Sequence, residues 1–405
     1  MTFDFQPLTI ILCRMAKLML VAGEPSGDAH AAALACALRE AAPATKFEFF
    51  GATGVQMREA EVESIVDAET LAIIGLWEEA KALPKFWSAF KKLRAAAVTR
   101  QPDAVILVDW PDFNLRLATS LKRRGFRVIY YISPQLWAWR SYRLRNIRRD
   151  VDLLLSILPF EKDWYAERGV NHIEYVGNPL AGEVRARYGR SEVCKRNNLD
   201  DKRPIVALLP GSRRHEITRI LPPMLDAAEI MLKARPELQF IIPVANNRRT
   251  EEIAHLMVGH PAIRRLVRMN QGETREIVAA ADVAAVASGT ATLETAILNT
   301  PLAVVYKTSP VSYRLLRPLI NVEHFGLVNL IAGERLAKEL IQNDFTGATL
   351  ATELLRLLEP STNSALRKRL LEVKDLLGAG GASQRAARAV LQTLARWHID
   401  KIGNG

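Results

Sequence analysis

Short apolar runs recur along this 405-residue chain, and each stops abruptly at a polar or glycine-containing turn. Lys17 to Ala22 ends at Gly23, and a helical pattern from Ala29 to Glu40 follows. Ala104 to Val108 reads Ala-Val-Ile-Leu-Val and ends at Asp109; Val128 to Ile132 and Val151 to Ile157 come next. Unbroken runs of this kind are buried on both faces. Separated by helices, they predict parallel strands in βαβ units. The pattern pauses from Gly177 to Pro204, where Gly177-Asn178-Pro179, a helical piece and the polar stretch Lys195 to Arg203 lie. It restarts with Ile205 to Leu209, Gln239 to Val244, Asp282 to Ala287 and Pro301 to Tyr306. After Arg335 the chain reads as helical, with no strand candidates. The reading is an α/β protein of two doubly wound, Rossmann-like domains facing across a cleft, with a helical C-terminal tail. Its expected bounds are 17–185 and 204–360 for the domains, 361–405 for the tail, and 1–16 for an extension whose role stays open.

Composition narrows the function classes. The chain is 49% hydrophobic and 24% charged, enough to bury a sizeable core. No stretch approaches the roughly 20 apolar residues that cross a bilayer. The apolar run Leu8 to Leu12 is followed at once by Arg14 and Lys17, with no small-residue cleavage pattern, so no signal peptide is expected. Cys13, Cys36 and Cys194 are too few and too scattered for a disulfide framework or a zinc site, so a cytoplasmic setting is expected. A formal charge of +11, from 55 basic and 44 acidic residues, implies an anionic partner. The basic residues cluster at Lys122, Arg123, Arg124 and Arg127, and again at Arg140, Arg143, Arg145, Arg148 and Arg149. No nucleic-acid motif accompanies them, so no nucleic-acid partner is expected.

In open α/β sheets, ligands bind at the carboxyl ends of strands, so the loops there are expected to carry the chemistry. Gly23 to Asp28 forms a strand-to-helix turn whose N–H groups can meet an anion; Ser26 or Asp28 as a helix cap is the competing explanation. Asp109-Trp110-Pro111-Asp112-Phe113-Asn114 ends an apolar strand in a carboxylate fit to act as a general base, although both aspartates also suit a turn. In Ser133 to Arg140, Trp137 and Trp139 offer faces for a sugar, and Arg140 suits a phosphate. Gly211, Ser212 and Arg213 can present N–H groups and a guanidinium fork to a diphosphate. Ser288, Gly289 and Thr290 make a second anion turn at a helix start, with Glu294 in reach of ribose hydroxyls. The last two loops together describe a nucleotide-diphosphate pocket.

Taken in order, these segments closely resemble the lipid-A-disaccharide synthase family, inverting glycosyltransferases of the GT-B fold. The resemblance rests on AGEPSGD at 22–28, DWPDFN at 109–114, SPQLWAWR at 133–140, LPFE at 158–161, VGNPL at 176–180, LLPGSR at 208–213, ASGTATLE at 287–294 and NLIAG at 329–333. It implies transfer of 2,3-diacylglucosamine from UDP-2,3-diacylglucosamine to the 6-hydroxyl of 2,3-diacylglucosamine 1-phosphate. The products are UDP and a β-1,6-linked tetraacyl disaccharide 1-phosphate, and no metal or organic cofactor is implied. It also implies Asp109 as the base, an acceptor region including Glu24, Ser26 and Asp28 in the N-terminal domain, and UDP in the C-terminal domain. Arg213, Glu294 and Asn329 match nucleotide-site positions. Val328 stands where the family usually has proline, and Trp110 where smaller residues are common. Another GT-B enzyme would share the two phosphate turns without the WAWR or AGEPSGD segments. A non-catalytic nucleotide-sugar-binding protein would not need Asp109.

One helical stretch remains. Leu83, Phe86, Trp87 and Phe90 fall at i, i+3, i+4 and i+7, with Pro84 suited to a first turn. Lys81, Lys85, Lys91 and Lys92 flank this face, and Leu71, Ile73, Ile74, Leu76 and Trp77 precede it. A core helix and a helix dipping into the lipid interface weigh equally. Acylated substrates and lysines facing anionic headgroups favour peripheral contact with the inner face of the inner membrane, through Trp77, Leu83, Phe86 and Trp87. Oligomeric state is not legible.

Overall fold

In the computed structural model, residues 15–403 are described except 71–78, 245–246, 265, 311–312 and 315–322. Of the residues expected to touch a membrane, Trp77 lies outside the described residues, as does the side chain of Leu83.

The chain forms two compact units. The first holds a seven-stranded parallel sheet: β1 (Ala16–Ala22), β2 (Phe47–Thr53), β3 (Glu63–Asp67), β4 (Ala104–Val108), β5 (Val128–Tyr131), β6 (Leu153–Ser156) and β7 (Ile173–Tyr175), in the order β3-β2-β1-β4-β5-β6-β7. The second holds six parallel strands: β8 (Ile205–Leu209), β9 (Gln239–Val244), β10 (Val267–Gln271), β11 (Val283–Ala287), β12 (Leu302–Tyr306) and β13 (Glu339–Ile341), in the order β10-β9-β8-β11-β12-β13. The unbroken apolar runs have a direct cause. Leu18, Leu20 and Ala22 of β1 join one hydrophobic cluster, and Met19 and Val21 join another on the opposite face. A strand covered on both sides has no exposed position for a polar residue.

Both sheets are doubly wound, as expected, but three details differ. β13 falls after Arg335, where no strand was read; it spans Glu339–Ile341 at a sheet edge. The boundary between the units lies at Pro179 and Leu180, not between 185 and 204. The polar stretch around Arg190–Asn197 is a helix belonging to the second unit, where Arg190 pairs with Asp282 and Arg196 with Glu273. Val193 and Cys194 are its only buried apolar side chains and ion pairs hold the rest, so its composition reads as a linker. The tail, finally, is not one element. Helix Pro360–Leu376 buries Leu366, Leu370 and Val373 in the second unit, whereas residues from Gly380 onward return to the first.

That return is made by helix Ala382–Gly403, which packs on helix Pro25–Ala41 and places Ala386, Ala387, Val390 and Leu394 in the first unit's core. Arg385 Nε donates to the Val176 carbonyl at 2.7 Å. No helix among the described residues is long and apolar enough to cross a membrane. Val390 is fully buried, so Val390→Asp should cost about 3 kcal/mol or more, because an unpaired charge enters the core. The same change at exposed Arg388 should stay within about 0.5 kcal/mol. Urea midpoints of the two variants check this.

Candidate functional site

In each sheet the strand order reverses at one place: between β1 and β4, and between β8 and β11. Crossovers diverge there, so the loops beyond the strands' carboxyl ends flank a gap. Four of the five loops singled out in the sequence lie at these two reversals, and the fifth follows β5 beside the first.

In the first unit, Asp109 and Trp110 leave β4 with φ of 49° and 50°. Ile132 (65°) and Arg140 (54°), which bracket the loop after β5, are also left-handed. For a β-branched residue such as Ile132 this conformation is strained, at roughly 1–3 kcal/mol. Strain of this kind persists only where the surroundings enforce it. The Asp109 carbonyl accepts from Asn114 Nδ2 at 2.8 Å and from the Tyr130 hydroxyl at 2.6 Å. Asn114 Nδ2 also reaches the Val108 carbonyl at 3.2 Å. The Trp110 ring stacks on Phe113 at 4.2 Å and lies over Gly23, where a Cβ would come within 2.1 Å of the indole. Burial pushes the Asp109 carboxyl up to about 6; the nearby Glu24 carboxylate adds to this and the Trp110 N–H opposes it. Glu24 and Ser26 are exposed at the start of helix Pro25–Ala41.

Asp28 is neither a cap of its own helix nor open to a ligand. It is 4% exposed, and its carboxylate accepts from the backbone N–H groups of Gly54 (2.7 Å), Gln56 (2.8 Å) and Met57 (3.2 Å). It therefore caps the next helix, Val55–Glu59. Trp137 is likewise spent internally. It is 8% exposed, and its indole N–H donates to Glu161 Oε1 at 3.0 Å. Ser133 Oγ donates to the other Glu161 oxygen at 2.5 Å. Burial pushes the Glu161 carboxyl up to about 7, against the pull of those donors. Trp139 remains exposed, with the Arg140 guanidinium 4.0 Å above its ring. Arg140 Nη1 donates to Asp112 Oδ1 at 2.7 Å, and Arg143 Nη2 donates to the same oxygen. Burial opposes it, but these two cations hold the Asp112 carboxyl below the usual carboxylate range.

The membrane-facing reading of helix Glu79–Arg100 divides. Phe86 packs on Trp110 (5.8 Å) and Phe113 (6.3 Å), so it belongs to the core side. Trp87 is 58% exposed, stacks on Phe90 at 5.5 Å and carries the Lys91 ammonium 5.9 Å from its ring. Pro84 lies inside this helix rather than in its first turn.

In the second unit, Gly211, Ser212 and Arg213 are all exposed, ahead of helix Arg214–Ala234. Gly211 has φ of 102°, and a Cβ there would strike the Glu216 carboxylate at 2.4 Å, so the turn requires glycine. The Arg213 N–H donates to Glu216 Oε2 at 3.1 Å while its side chain stays exposed. Arg249 Nε holds the Ser212 carbonyl at 3.0 Å. Beyond β11, Gly289 and Thr290 are exposed, but Ser288 Oγ donates to the Phe325 carbonyl at 2.7 Å. Glu294 Oε1 accepts from Arg275 Nη2 at 3.0 Å and Nε at 3.3 Å. Asn329 is fully buried: its Nδ2 donates to the Ala337 carbonyl (2.7 Å) and Glu339 Oε1 (2.9 Å), and its Oδ1 accepts from Ala337 N (2.8 Å). The expected direct nucleotide contact is thus corrected to a supporting role. Asn329 fixes Glu339, which in turn accepts from the Phe325 and Gly326 N–H groups at 2.9–3.0 Å.

The model of the lipid-A-disaccharide synthetase family matches residues 18–393. The chain belongs to the lipid-A-disaccharide synthase family. It is 41% identical over 379 residues to the synthase of Trichlorobacter lovleyi, covering 93% of this chain and 97% of that one. It is 43% identical over 381 residues to that of Syntrophus aciditrophicus, covering 94% and 98%. The chain is accordingly a hexosyltransferase of lipid A biosynthesis. Solved structures share its fold at low identity. A UDP-GlcNAc 2-epimerase from Neisseria meningitidis has a TM-score of 0.62 at 12% identity, over 94% of this chain and 100% of that one. Acinetobacter baumannii MurG has 0.55 at 16%, over 94% and 99%. The GT-B expectation is met.

Sequence reasoning gave no role to Asn114, Glu161, Arg275 or Glu339. The first two lie within segments quoted for the family, so their positions were visible although their partners were not. Asp109 makes one consequence measurable. An unfolded aspartate titrates near 3.9, and the folded one near 6. Between those values the folded protein holds the extra proton, so this group's contribution falls as pH rises through that window. Asp109→Asn escapes the loss. Above pH about 6.5 it should be more stable than wild type by about 2 kcal/mol, and the gap should close toward pH about 4. Denaturant unfolding across that range tests this.

Proposed function

We propose that the chain transfers 2,3-diacylglucosamine from UDP-2,3-diacylglucosamine to the 6-hydroxyl of 2,3-diacylglucosamine 1-phosphate, with Asp109 as general base. The observation that carries this reading is a half-buried carboxylate with raised proton affinity, fixed through its own backbone at the β1/β4 reversal. The Asp109 carboxylate takes the proton of the 6-hydroxyl as its oxygen bonds to the donor's anomeric carbon. The bond from that carbon to UDP breaks on the opposite face, its electron pair leaving on the diphosphate, so the anomeric centre inverts. In the second unit, the N–H groups at Gly211 and Ser212 and at Gly289 and Thr290, with the Arg213 guanidinium, stabilise the departing charge. Arg275 orients Glu294 toward the nucleoside, and Ser288 and Asn329 support the turns from below. Glu24 and Ser26 border the acceptor beside Asp109, and Trp139 with Arg140 offers it an open aromatic face.

The acylated substrates are met at the inner face of the inner membrane, through the exposed Trp87 and the lysines around it. An indole at the interface and each lysine near anionic headgroups contribute about 1–3 kcal/mol apiece, which supports reversible binding.

Asp109→Asn should keep UDP binding but lose roughly 100- to 10,000-fold in kcat, and wild-type kcat/KM should fall as pH drops below about 6. Near-normal turnover in that variant would remove Asp109 from the role. Arg213→Ala should weaken UDP binding by roughly 10- to 100-fold, read by calorimetry. Trp87→Ser should lose binding to phosphatidylglycerol vesicles with little change in urea midpoint. Phe86→Ser should instead lower the midpoint, because Phe86 packs on Trp110 and Phe113.

A further inference from the structure

Helix Pro111–Lys122 begins two residues after Asp109, and beside helix Leu144–Asp150 it borders a groove of about 340 Å³. Asp112, Arg116 and Thr119 line it from the first helix, at i, i+4 and i+7. Tyr142, Arg143 and Asn146 line it from the turn and helix opposite. None of these except Asp112 belongs to a segment that pointed to the family.

The groove's charge is unbalanced. Asp112 already accepts from both Arg140 and Arg143, so one carboxylate faces two guanidiniums. Arg143 is held by this pairing and is only 15% exposed in its side chain, which makes it a fixed cation rather than a waving one. Arg116 is exposed and has no ion pair among the described residues. The neighbouring Arg149–Asp150 pair cancels itself, and Asp150 also accepts from Thr119 Oγ1 at 2.5 Å. Arg116 and Arg143 line the groove and Arg140 reaches Asp112 from beside it, so three guanidiniums surround one carboxylate. A phosphomonoester carries about −1.5 to −2 charges at neutral pH and three acceptor oxygens, which arginine forks match. Asn146, whose amide donates to Thr119 Oγ1 at 3.4 Å, borders the groove, and Tyr142, 62% exposed, adds an open ring face.

We propose that this groove holds the phosphate of the sugar-phosphate acceptor. The proposal rests on the reaction assigned above. The acceptor's reacting 6-hydroxyl is carried through C6 on C5 and its phosphate on C1, the two ring carbons that flank the ring oxygen. Asp112 and Arg116 lie within about two helical turns of Asp109 along the chain, each turn advancing about 5.4 Å. Gripping the phosphate fixes the ring at C1 while the hydroxyl on C6 meets the base.

The test compares 2,3-diacylglucosamine 1-phosphate with its phosphate-free analogue as acceptor. Wild type should prefer the phosphorylated acceptor in kcat/KM. Arg116→Met should cut that preference roughly 10- to 100-fold, through acceptor KM, with the KM for UDP-2,3-diacylglucosamine unchanged. Arg116→Lys should restore part of it. Thermal melts confirm that the variants fold. If Arg116→Met and Asn146→Leu both keep the wild-type preference, or if wild type has none, the groove is not the phosphate site, and the reaction assignment survives. If wild type forms no disaccharide from the two acylated substrates, the reaction assignment itself fails. Phosphatidylglycerol vesicles supply the other source of phosphate. Loss of vesicle binding in Arg116→Met with the acceptor preference intact would assign the groove to a lipid headgroup and overturn the proposal.

Discussion

Parallel strands cannot be joined by a tight hairpin, so each must be followed by a crossover that carries the chain back to the same end of the sheet. All strand-to-helix loops therefore gather along one edge, and where the strand order reverses the crossovers part. In this chain that happens between β1 and β4 and between β8 and β11. The chemistry follows from that constraint. Gly23 to Asp28 and Asp109 to Asn114 meet at the first reversal, and Gly211 to Arg213 and Ser288 to Thr290 at the second. Neither pair is close in sequence. Only the reversal brings each together.

Polar side chains tie down backbone in and beside these loops. Asp28 holds the turn at Gly54 to Met57, Asn114 the Asp109 carbonyl, Glu161 the loop after β5, and Glu339 the Phe325–Gly326 turn. A loop with a left-handed aspartate and tryptophan does not hold that shape through local preference. Hydrogen bonds shielded from water do it, and they are stronger for being shielded. The same shielding raises the proton affinity of Asp109 and Glu161. Rigidity at the loops and altered acidity thus share one cause.

Apart from β2, whose run is broken by Glu48 and Gly51, the interior of both sheets was legible. β4, β8 and β9 coincide with runs read from sequence, because strands buried on both faces carry an unbroken apolar signature. The strands that escaped were β2 and the four at sheet edges, β3, β7, β10 and β13. Arg268 and Met269 of β10 are exposed, and β13 is three residues long. Half-covered or very short strands leave no such signature. Among site residues, Asp109, Trp139, Arg213, Gly289 and Thr290 occupy open or half-open loop positions. Asp28, Trp137 and Asn329 lie in the same segments but face inward.

The sequence by itself determined the two doubly wound units, the loops that matter and the family, because hydrophobic periodicity and residue order are written along the chain. Only the tertiary structure decided which polar side chain in each motif meets solvent and which is consumed in holding the loop. It also decided that the last helix completes the first unit, through contacts such as Arg385 to Val176, 209 residues apart. A motif records residue types. Burial and hydrogen-bond partners depend on segments far away in the chain, and those alone separate a carboxylate of raised proton affinity such as Asp109 from one such as Asp28, whose oxygens are taken up by backbone N–H groups.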